Sequence, residues 1–288
     1  MSHSLDPDVV RRLVRDALAE DRANNDITTD ALVPSAQLGR AAFLAKDEGV
    51  IAGLDLAREA FATVDPALVW RADVRDGDRV SAGDKIASVA GSLAAILRAE
   101  RVALNFLSHA SGVATAAGVV VRLLEGTSCW LRDTRKTLPG LRAVEKYATV
   151  AGGATNHRYD LADGVLIKDN HIAALRARDL GISDAVRMAR SANPGAKIEI
   201  EVTTMDEARE AAESGADELL LDNMTPAEVA NVVRELGSPR PALEASGGIS
   251  ADNVREYAQA GVDFVSMGAI THSAPALDIS LEFDVDIT

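Results

Sequence analysis

Basic side chains gather in one short segment of an otherwise acidic chain. The segment WLRDTRKTLPGLRAVEKYA (130–148) holds five of them: Arg132, Arg135, Lys136, Arg142 and Lys146. The whole 288-residue chain has 44 acidic and 30 basic residues and a formal net charge of −14 at pH 7. Cations held close together repel one another unless an anion lies between them. The cluster therefore predicts a ligand that carries several negative charges.

Further basic residues follow the predicted strands of the second half of the chain. Arg135 and Lys136 follow CWLRD, His157 and Arg158 lie in the glycine-rich AGGATNHRYD, and Lys168 ends DGVLIKD. The carboxyl ends of parallel strands meet at one face of an α/β barrel, where barrel enzymes assemble their sites. We therefore expect these cations to lie together.

Carboxylates end other strands of the same series. In KIEIEV the apolar residues alternate with Glu199 and Glu201, and Asp222 ends the apolar strand ELLLD. If the apolar side of the strand meets the helices, both glutamates face the barrel axis. The alternative, a solvated sheet edge, is disfavoured because a strand between two crossover units is not an edge.

A glycine-containing turn in the segment EASGGIS indicates a phosphate site. Ser246, Gly247 and Gly248 lead into a helix that we expect Ser250 to cap, which would leave backbone N–H groups at a positive helix end. A second glycine loop, at Gly268 in SMGAITHS, follows the next strand. Phosphate sites of such barrels commonly form in the last units.

The second half of the chain alternates six apolar strands with helices, which implies parallel pairing through right-handed crossovers. Six units favour an incomplete six-stranded α/β barrel, predicted over residues 116–288. A doubly wound open sheet is the alternative, although no G-x-G-x-x-G opens any unit. Residues 1–115 are predicted to form an N-terminal α+β sandwich domain, with room for the C-terminal tail (about 274–288) to pack back on it.

The N-terminal half contains less regular patterns. We predict helices over 6–22 and 54–64, strands over 40–46 and 69–74, a hairpin over 74–91, and a mostly helical stretch over 92–125 with a break near Ser111 and Gly112.

Composition excludes several classes of function. Aromatic residues make up 3% of the chain and the sequence pI is about 4.8, which argues against nucleic-acid binding.

The single cysteine, Cys129, fits a reducing compartment. The N-terminus is polar, and the most apolar stretch, 112–124, is interrupted by Arg122 and too short to cross a bilayer. We therefore expect a cytoplasmic protein that does not enter a membrane.

Several polar residues receive ordinary structural interpretations. Arg142 and Lys146 stand at i, i+4 on a predicted helix and are interpreted as solvated. His109 is interpreted as an interface or core histidine. Cys129 is interpreted as a small buried residue.

Together these segments resemble the quinolinate phosphoribosyltransferase family. The likeness is carried by ERVALNFLSHASGVAT, RDTRKTLPGLRAVEKYA, GGATNHRYDLADGVLIKDNHI, EIEV, LLLDN, EASGGI and GAITHS, in the family's order. The resemblance implies a homodimer of two-domain chains. It also implies that quinolinate and phosphoribosyl pyrophosphate are converted, with Mg²⁺, into nicotinate mononucleotide, pyrophosphate and CO₂. ANNDITTD (23–30) departs from the family, which usually has a glycine-containing turn there.

The resemblance assigns a role to each candidate site residue. The quinolinate clamp comprises Arg135, His157, Arg158 and Lys168, with Arg101 supplied across the dimer interface. Lys136 contacts the phosphates of phosphoribosyl pyrophosphate, and Glu201 and Asp222 lie near the ribose hydroxyls and Mg²⁺. The 5′-phosphate loops comprise Ser246, Gly247, Gly248 and Gly268.

Two alternatives stay open. Another phosphoribosyltransferase of the same fold, such as one specific for nicotinate or a molybdenum-operon relative, would need fewer cations because its substrate has fewer carboxylates. The second alternative is a carrier protein, because the segment RDGDRVSAGDKIASVAG (75–91) resembles half of the motif found in biotinyl and lipoyl carrier domains. Such a domain needs a lysine at the next hairpin tip, and here the chain runs directly into a predicted helix.

Overall fold

The computed structural model describes residues 4–284, which divide into two compact units. Unit 1 comprises residues 4–118, 137–153 and 270–284, and unit 2 comprises 119–136 and 154–269. The sequence placed 137–153 in the barrel domain. They belong with unit 1 because Val144 and Ala148 are buried in its apolar core.

Eleven α-helices and twelve strands occur within residues 4–284. The helices are α1 (Pro7–Glu20), α2 (Ile27–Leu32), α3 (Leu54–Val64), α4 (Leu93–Leu123), α5 (Arg142–Ala151), α6 (Asp169–Arg176), α7 (Ile182–Ala192), α8 (Met205–Glu213), α9 (Pro226–Leu236), α10 (Val254–Gln259) and α11 (Ala269–His272). The strands are β1 (Leu38–Ala45), β2 (Gly49–Val50), β3 (Val69–Ala72), β4 (Arg79–Val80), β5 (Lys85–Ser92), β6 (Trp130–Arg132), β7 (Val165–Ile167), β8 (Ile198–Val202), β9 (Glu218–Asp222), β10 (Ala242–Ser246), β11 (Phe264–Ser266) and β12 (Ile279–Asp284).

The first helix forms where the sequence predicts it. The Asp6 side chain accepts the backbone N–H of Asp8, and Pro7 occupies the first turn, where its missing N–H is not needed. The apolar positions, among them Val14 and Leu18, are buried against unit 1. A short 3₁₀ turn (Ala23–Asn25) follows, entered through Arg22 at φ 51°, so a non-glycine residue takes the left-handed conformation.

Unit 1 is built on an antiparallel sheet in the order β12-β1-β5-β3. β12 extends the edge of this sheet beside β1. The predicted hairpin over 74–91 is wrong: β4 pairs with β2, whereas β5 pairs with β1 and β3. The segment that resembles a carrier motif is therefore part of this scaffold, and α4 begins directly after β5.

Helix α4 is continuous, so the predicted break near Gly112 is wrong. A Cβ at Gly112 would lie 2.1 Å from the backbone oxygen of Pro275, so the glycine permits close packing of two backbones. Within the described part of the chain, α4 alone is long and apolar enough to cross a membrane. Core helices of soluble proteins meet the same criterion, and 56% of its most apolar window is buried.

Unit 2 is a parallel six-stranded sheet in the order β6-β11-β10-β9-β8-β7. The first strand of the series pairs with the last, which curls the sheet into a barrel whose opening lies between β6 and β7. A parallel bridge between Arg132 and Thr155 lies at this opening. The order confirms the predicted incomplete α/β barrel and excludes a doubly wound sheet.

The helix after β10 differs from its prediction. It spans only Val254–Gln259, and its N-cap is Asn253 rather than Ser250. Ser250 instead donates its backbone N–H to Asn253 Oδ1 at 2.8 Å, which closes a turn ahead of the helix. The helix therefore begins further from Gly247 than predicted.

Candidate active site

A cavity of about 520 Å³ lies within unit 2 at the carboxyl ends of the barrel strands. Its volume is in the range of small-molecule sites. The cavity brings together eight residues that the sequence singled out: Arg135, Lys136, His157, Arg158, Lys168, Glu201, Asp222 and Ser246.

Alternation along the strands directs these side chains inward. On β8, Ile198, Ile200 and Val202 are almost completely buried, while Glu201 lines the cavity. The inward orientation predicted for this glutamate is confirmed. The same two-residue spacing brings Glu244 and Ser246 of β10 into the cavity lining.

Two arginines in the cavity lack a salt-bridge partner among the described residues. The Nε atoms of Arg135 and Arg158 are both buried and make no hydrogen bond. Burial lowers the pKa of Arg158, and the positive charge of Arg135 lowers it further. A buried guanidinium N–H without a hydrogen-bond partner is unfavourable, so this pair is suited to an anionic ligand.

The basic and acidic parts of the cavity meet at Lys168 and Glu201. These residues form an ion pair in which the lysine side chain is 43% exposed and the glutamate 13%. Lys136 lines the same cavity, and its backbone N–H donates to Thr134 Oγ1 at 2.9 Å. An incoming anion can therefore reach both lysines.

A tight loop supports Asp222. Its Oδ2 accepts the side-chain amide of Asn223 at 2.8 Å, and the backbone N–H of Asn223 donates to the Ser246 carbonyl at 2.9 Å. Gly247 has φ +92°, and a Cβ there would lie 2.3 Å from Asn223 Oδ1. Glycine at this position therefore lets the loops after β9 and β10 approach each other.

A buried network of charges crosses the barrel interior. Arg132 pairs with Glu244 at 2.7 Å and with Glu218, which also pairs with Lys197. The guanidinium of Arg132 lies 3.2 Å from the centre of the Phe264 ring. Arg132 thus belongs to the interior of unit 2, although the sequence grouped it with the cavity cations.

The pKa of Glu244 is raised to about 7, first by burial and then by the nearby negative charge of Glu199. Arg132 and His157 act in the opposite direction. One oxygen of each glutamate, Oε1 in both cases, is buried without a hydrogen-bond partner.

Both ring nitrogens of His157 are engaged. Nδ1 accepts the backbone N–H of Arg158 at 2.7 Å, and Nε2 lies 2.9 Å from Glu199 Oε2. Burial lowers the pKa of His157, but Glu199 and Glu244 outweigh it, so that the pKa is raised. A second ring proton would have to bind Nδ1, where it would break the hydrogen bond from the backbone N–H of Arg158.

Two sets of carboxylates could hold a metal ion. His157, Glu199 and Glu244 have ligand atoms within 4.8 Å of one another, but Arg132 already compensates this buried group. Glu201 and Asp222 present carboxylate oxygens to the cavity itself. Such oxygens suit Mg²⁺, which keeps several waters and needs few protein ligands.

Four predicted site residues do not line this cavity. Gly247 and Gly248 follow β10, Gly268 follows β11, and Arg101 lies in unit 1 on α4. Arg101 lines a separate cavity of about 380 Å³ with His109, whose Nε2 lies 3.0 Å from Glu145 Oε1.

Sequence reasoning missed some residues of the cavity lining, among them Asn223, Glu244 and Ser266. Glu244 could have been found, because it precedes Ser246 by two positions on one strand. Ser266 likewise precedes Gly268 by two positions. The same rule could not have found Asn223, because its contact with Gly247 depends on loop geometry.

The structure corrects one interpretation of a single residue and confirms another. Lys146 is only 2% exposed, so its interpretation as solvated is wrong; most of the circumference of α5 is buried. Arg142 is half-buried and donates to Thr137 Oγ1 at 3.2 Å. Cys129 is buried, as predicted.

The fold and the cavity define an α/β-barrel enzyme that binds an anionic substrate at the carboxyl ends of its strands. The family description "Quinolinate phosphoribosyl transferase, C-terminal domain" matches residues 113–282, and the corresponding N-terminal domain matches 26–111. The chain belongs to the quinolinate phosphoribosyltransferase family.

Individual relatives agree with this assignment. The nicotinate-nucleotide pyrophosphorylase [carboxylating] of Mycobacterium leprae is 40% identical over 282 residues, which cover 96% of this chain and 97% of that protein. A protein of the same name from Arabidopsis thaliana, described as chloroplastic, is 39% identical over 96% of this chain and 84% of its own length. The solved structure of the Francisella tularensis nicotinate-nucleotide pyrophosphorylase has a TM-score of 0.91 and 36% identity, with 98% of each chain covered. Because location differs among relatives, the cytoplasmic location stays a prediction.

Proposed function

We propose that this chain transfers the phosphoribosyl group of phosphoribosyl pyrophosphate to quinolinate and releases the 2-carboxylate. The products are nicotinate mononucleotide, pyrophosphate and CO₂, which places the reaction in NAD biosynthesis. The observation that carries the proposal is the pair of half-buried arginines, Arg135 and Arg158, whose Nε atoms are buried without a hydrogen-bond partner in the same cavity as Glu201 and Asp222.

Quinolinate matches the basic part of the cavity. Its two adjacent carboxylates need several donors, and a guanidinium can grip a carboxylate through two parallel hydrogen bonds. Arg135, Arg158 and Lys168 supply such donors. His157 is the fourth clamp residue that the family resemblance implies.

The acidic part of the cavity matches the ribose. As the bond between C1′ and the pyrophosphate oxygen breaks, its electron pair leaves with pyrophosphate and positive charge develops on the sugar. Glu201 and Asp222 would stabilise that positive charge, and Lys136 would stabilise the leaving group. The lone pair of the quinolinate nitrogen then forms the new bond to C1′, oriented by the arginines.

Decarboxylation follows from the product of that step. The alkylated ring is a pyridinium, which accepts the electron pair of the bond between C2 and the carboxylate. A proton from solvent then replaces CO₂ at C2. This step requires no further acid or base from the chain.

The proposed cofactor is Mg²⁺, held by Glu201 and Asp222. Both are acidic oxygen donors of the cavity lining, which is the ligand chemistry that a hard cation prefers. When bound, the ion would neutralise charge on the pyrophosphate.

The proposed assembly is a homodimer in which Arg101 of one copy completes the site of the other. Arg101 is exposed on α4 and forms no salt bridge with another described residue. A free guanidinium on a surface is suited to a partner's anionic ligand.

A label-release assay tests the reaction. Quinolinate labelled in the 2-carboxyl group is incubated with the protein, and labelled CO₂ is trapped. We expect release only when phosphoribosyl pyrophosphate and Mg²⁺ are both present. The Arg187→Ala variant, which alters an exposed pair with Asp184, is the matched control and should release label like the wild type. Absence of release from the complete mixture would contradict the proposal.

A further inference from the structure

The loop that bears His157 and Arg158 is held at several points along its backbone. The backbone N–H of Thr155 donates to the Leu131 carbonyl at 2.9 Å, and that of His157 donates to Asp133 Oδ1 at 2.8 Å. The backbone N–H of Arg158 donates to the ring of His157. The ring is thus one of the anchors that fix where the arginine backbone lies.

We propose that His157 is a positioning residue for Arg158 and does not itself bind the substrate. Glu199 holds the ring at Nε2, and the ring in turn holds the backbone N–H of Arg158 at Nδ1. The inference rests on the proposed function only for the identity of the anion, quinolinate, that Arg158 would bind.

The donor and acceptor pattern of the ring supports this role. A backbone N–H 2.7 Å from Nδ1 requires a lone pair on that nitrogen, so the ring proton belongs on Nε2. That proton faces Glu199 Oε2 at 2.9 Å, and Glu199 is only 5% exposed. Neither nitrogen then has a donor left for a carboxylate of the substrate.

The side chain of Arg158 depends on its backbone for direction. Its hydrogen bond from Nη1 to the Gly164 carbonyl is long, at 3.5 Å, and its Nε has no partner. With so little holding the guanidinium itself, the placement of the backbone decides whether it reaches the anion. A small displacement of such a group can lower the rate or affinity substantially.

Glu199 is buried in the barrel interior, where a second carboxylate also approaches the ring. Glu244, which is fully buried and paired with Arg132, approaches the same ring nitrogen, with Oε1 3.6 Å from Nε2. The interior charges of unit 2 therefore act on the site through the orientation of one imidazole ring.

Two substitutions at His157 separate positioning from direct binding. Asn places its amide oxygen near the position of Nδ1 and can still accept the N–H of Arg158. Gln places its terminal amide near the position of Nε2 and can still donate there, but it lacks the acceptor. Quinolinate dissociation constants are measured by calorimetry on the full-length wild type, His157→Asn and His157→Gln.

Positioning predicts that His157→Gln weakens quinolinate binding roughly tenfold and that His157→Asn weakens it about threefold or less. The reverse order, with Gln retaining affinity and Asn losing it, would overturn the inference. If the wild type does not bind quinolinate, the proposed function fails instead.

A second measurement does not depend on either variant folding or on any ligand. Nitrogen-15 spectra of the imidazole rings in the wild type report which nitrogen carries the proton. The inference predicts an Nε2–H ring for His157, assigned by sequential connectivity in the wild type. A ring protonated at Nδ1, or at both nitrogens near pH 7, would contradict it.

Discussion

Lys168 and Glu201 form an ion pair between the carboxyl ends of two neighbouring strands, β7 and β8. The lysine side chain is 43% exposed and the carboxylate 13%, so the cation is open to a ligand while the anion is largely enclosed. A bound carboxylate would compete with Glu201 for the ammonium group. Substrate binding would thereby release Glu201 toward the ribose and Mg²⁺.

Removing the ammonium group tests its share in binding. Lys168→Ala should raise the KM for quinolinate roughly 10- to 100-fold, because a charge-assisted hydrogen bond contributes about 1.5–3 kcal/mol. The measurement is steady-state kinetics at saturating phosphoribosyl pyrophosphate. Arg176→Ala, which removes an exposed cation paired with Glu207, is the control and should leave KM unchanged. An unaltered KM for Lys168→Ala would contradict this role.

Two adjacent glycines allow a matched test of the loop after β10. Gly247→Ala should destabilise the protein by at least about 2 kcal/mol and raise the KM for phosphoribosyl pyrophosphate, because its Cβ would meet Asn223 at a strained backbone angle. Gly248→Ala has φ +64° and open space, so it should cost only about 1 kcal/mol. Denaturant unfolding and kinetics measure both. Equal effects would show that the contact with Asn223 is unimportant.

The raised pKa of Glu244 predicts how the stability of the protein changes with pH. Its pKa is raised from 4.5 to about 7 in the folded protein, chiefly by burial, so the folded state keeps a proton that the unfolded chain loses. This contribution to the free energy of unfolding is complete below about pH 4.5 and is lost as the pH rises to about 7.

Denaturant unfolding of the wild type and Glu244→Gln between pH 4.5 and 8 measures the contribution. The glutamine of the variant cannot ionise. The free energy of unfolding of the variant should therefore rise relative to that of the wild type as the pH rises through that window. A difference that is constant with pH would rule the contribution out.

Complementation tests the proposed exchange of Arg101 between copies. Arg101→Ala and Arg158→Ala should each be nearly inactive alone. After unfolding and refolding together, half of the dimers would be mixed and each would hold one intact site, which gives about a quarter of wild-type activity. Refolding the two variants separately before mixing is the control. Activity no higher than in that control would mean that Arg101 does not act across the interface.

Strand alternation explains how much of the site could be predicted. The pattern around Ile198 and Ile200 placed Glu201 in the interior, and polar strand endings located Lys168 and Asp222, all of which line one cavity. Applied to β10, the same rule would have found Glu244. Local patterns on barrel strands carry this information because each side chain has only two directions to take.

Other features depended on packing between distant segments. The sequence around Gly112 predicts a helix break, but the glycine instead allows the backbone near Pro275 to pack closely against α4. No local sequence pattern reveals a contact between segments so far apart in the chain. Lys146 has the spacing of a solvated residue, yet α5 is buried on most of its surface. The ring contacts of His157 join its own loop to strand β8, so sequence alone could not show that both nitrogens are engaged.

Substrate preference tests the central claim most directly. The kcat/KM values for quinolinate and nicotinate are compared in one assay that follows pyrophosphate release, with phosphoribosyl pyrophosphate and Mg²⁺ held constant. Nicotinate lacks the 2-carboxylate and would leave part of the cluster around Arg135 and Arg158 without an anion, so we expect quinolinate to be preferred by roughly 100-fold or more. Equal turnover of the two, or a preference for nicotinate, would contradict the account.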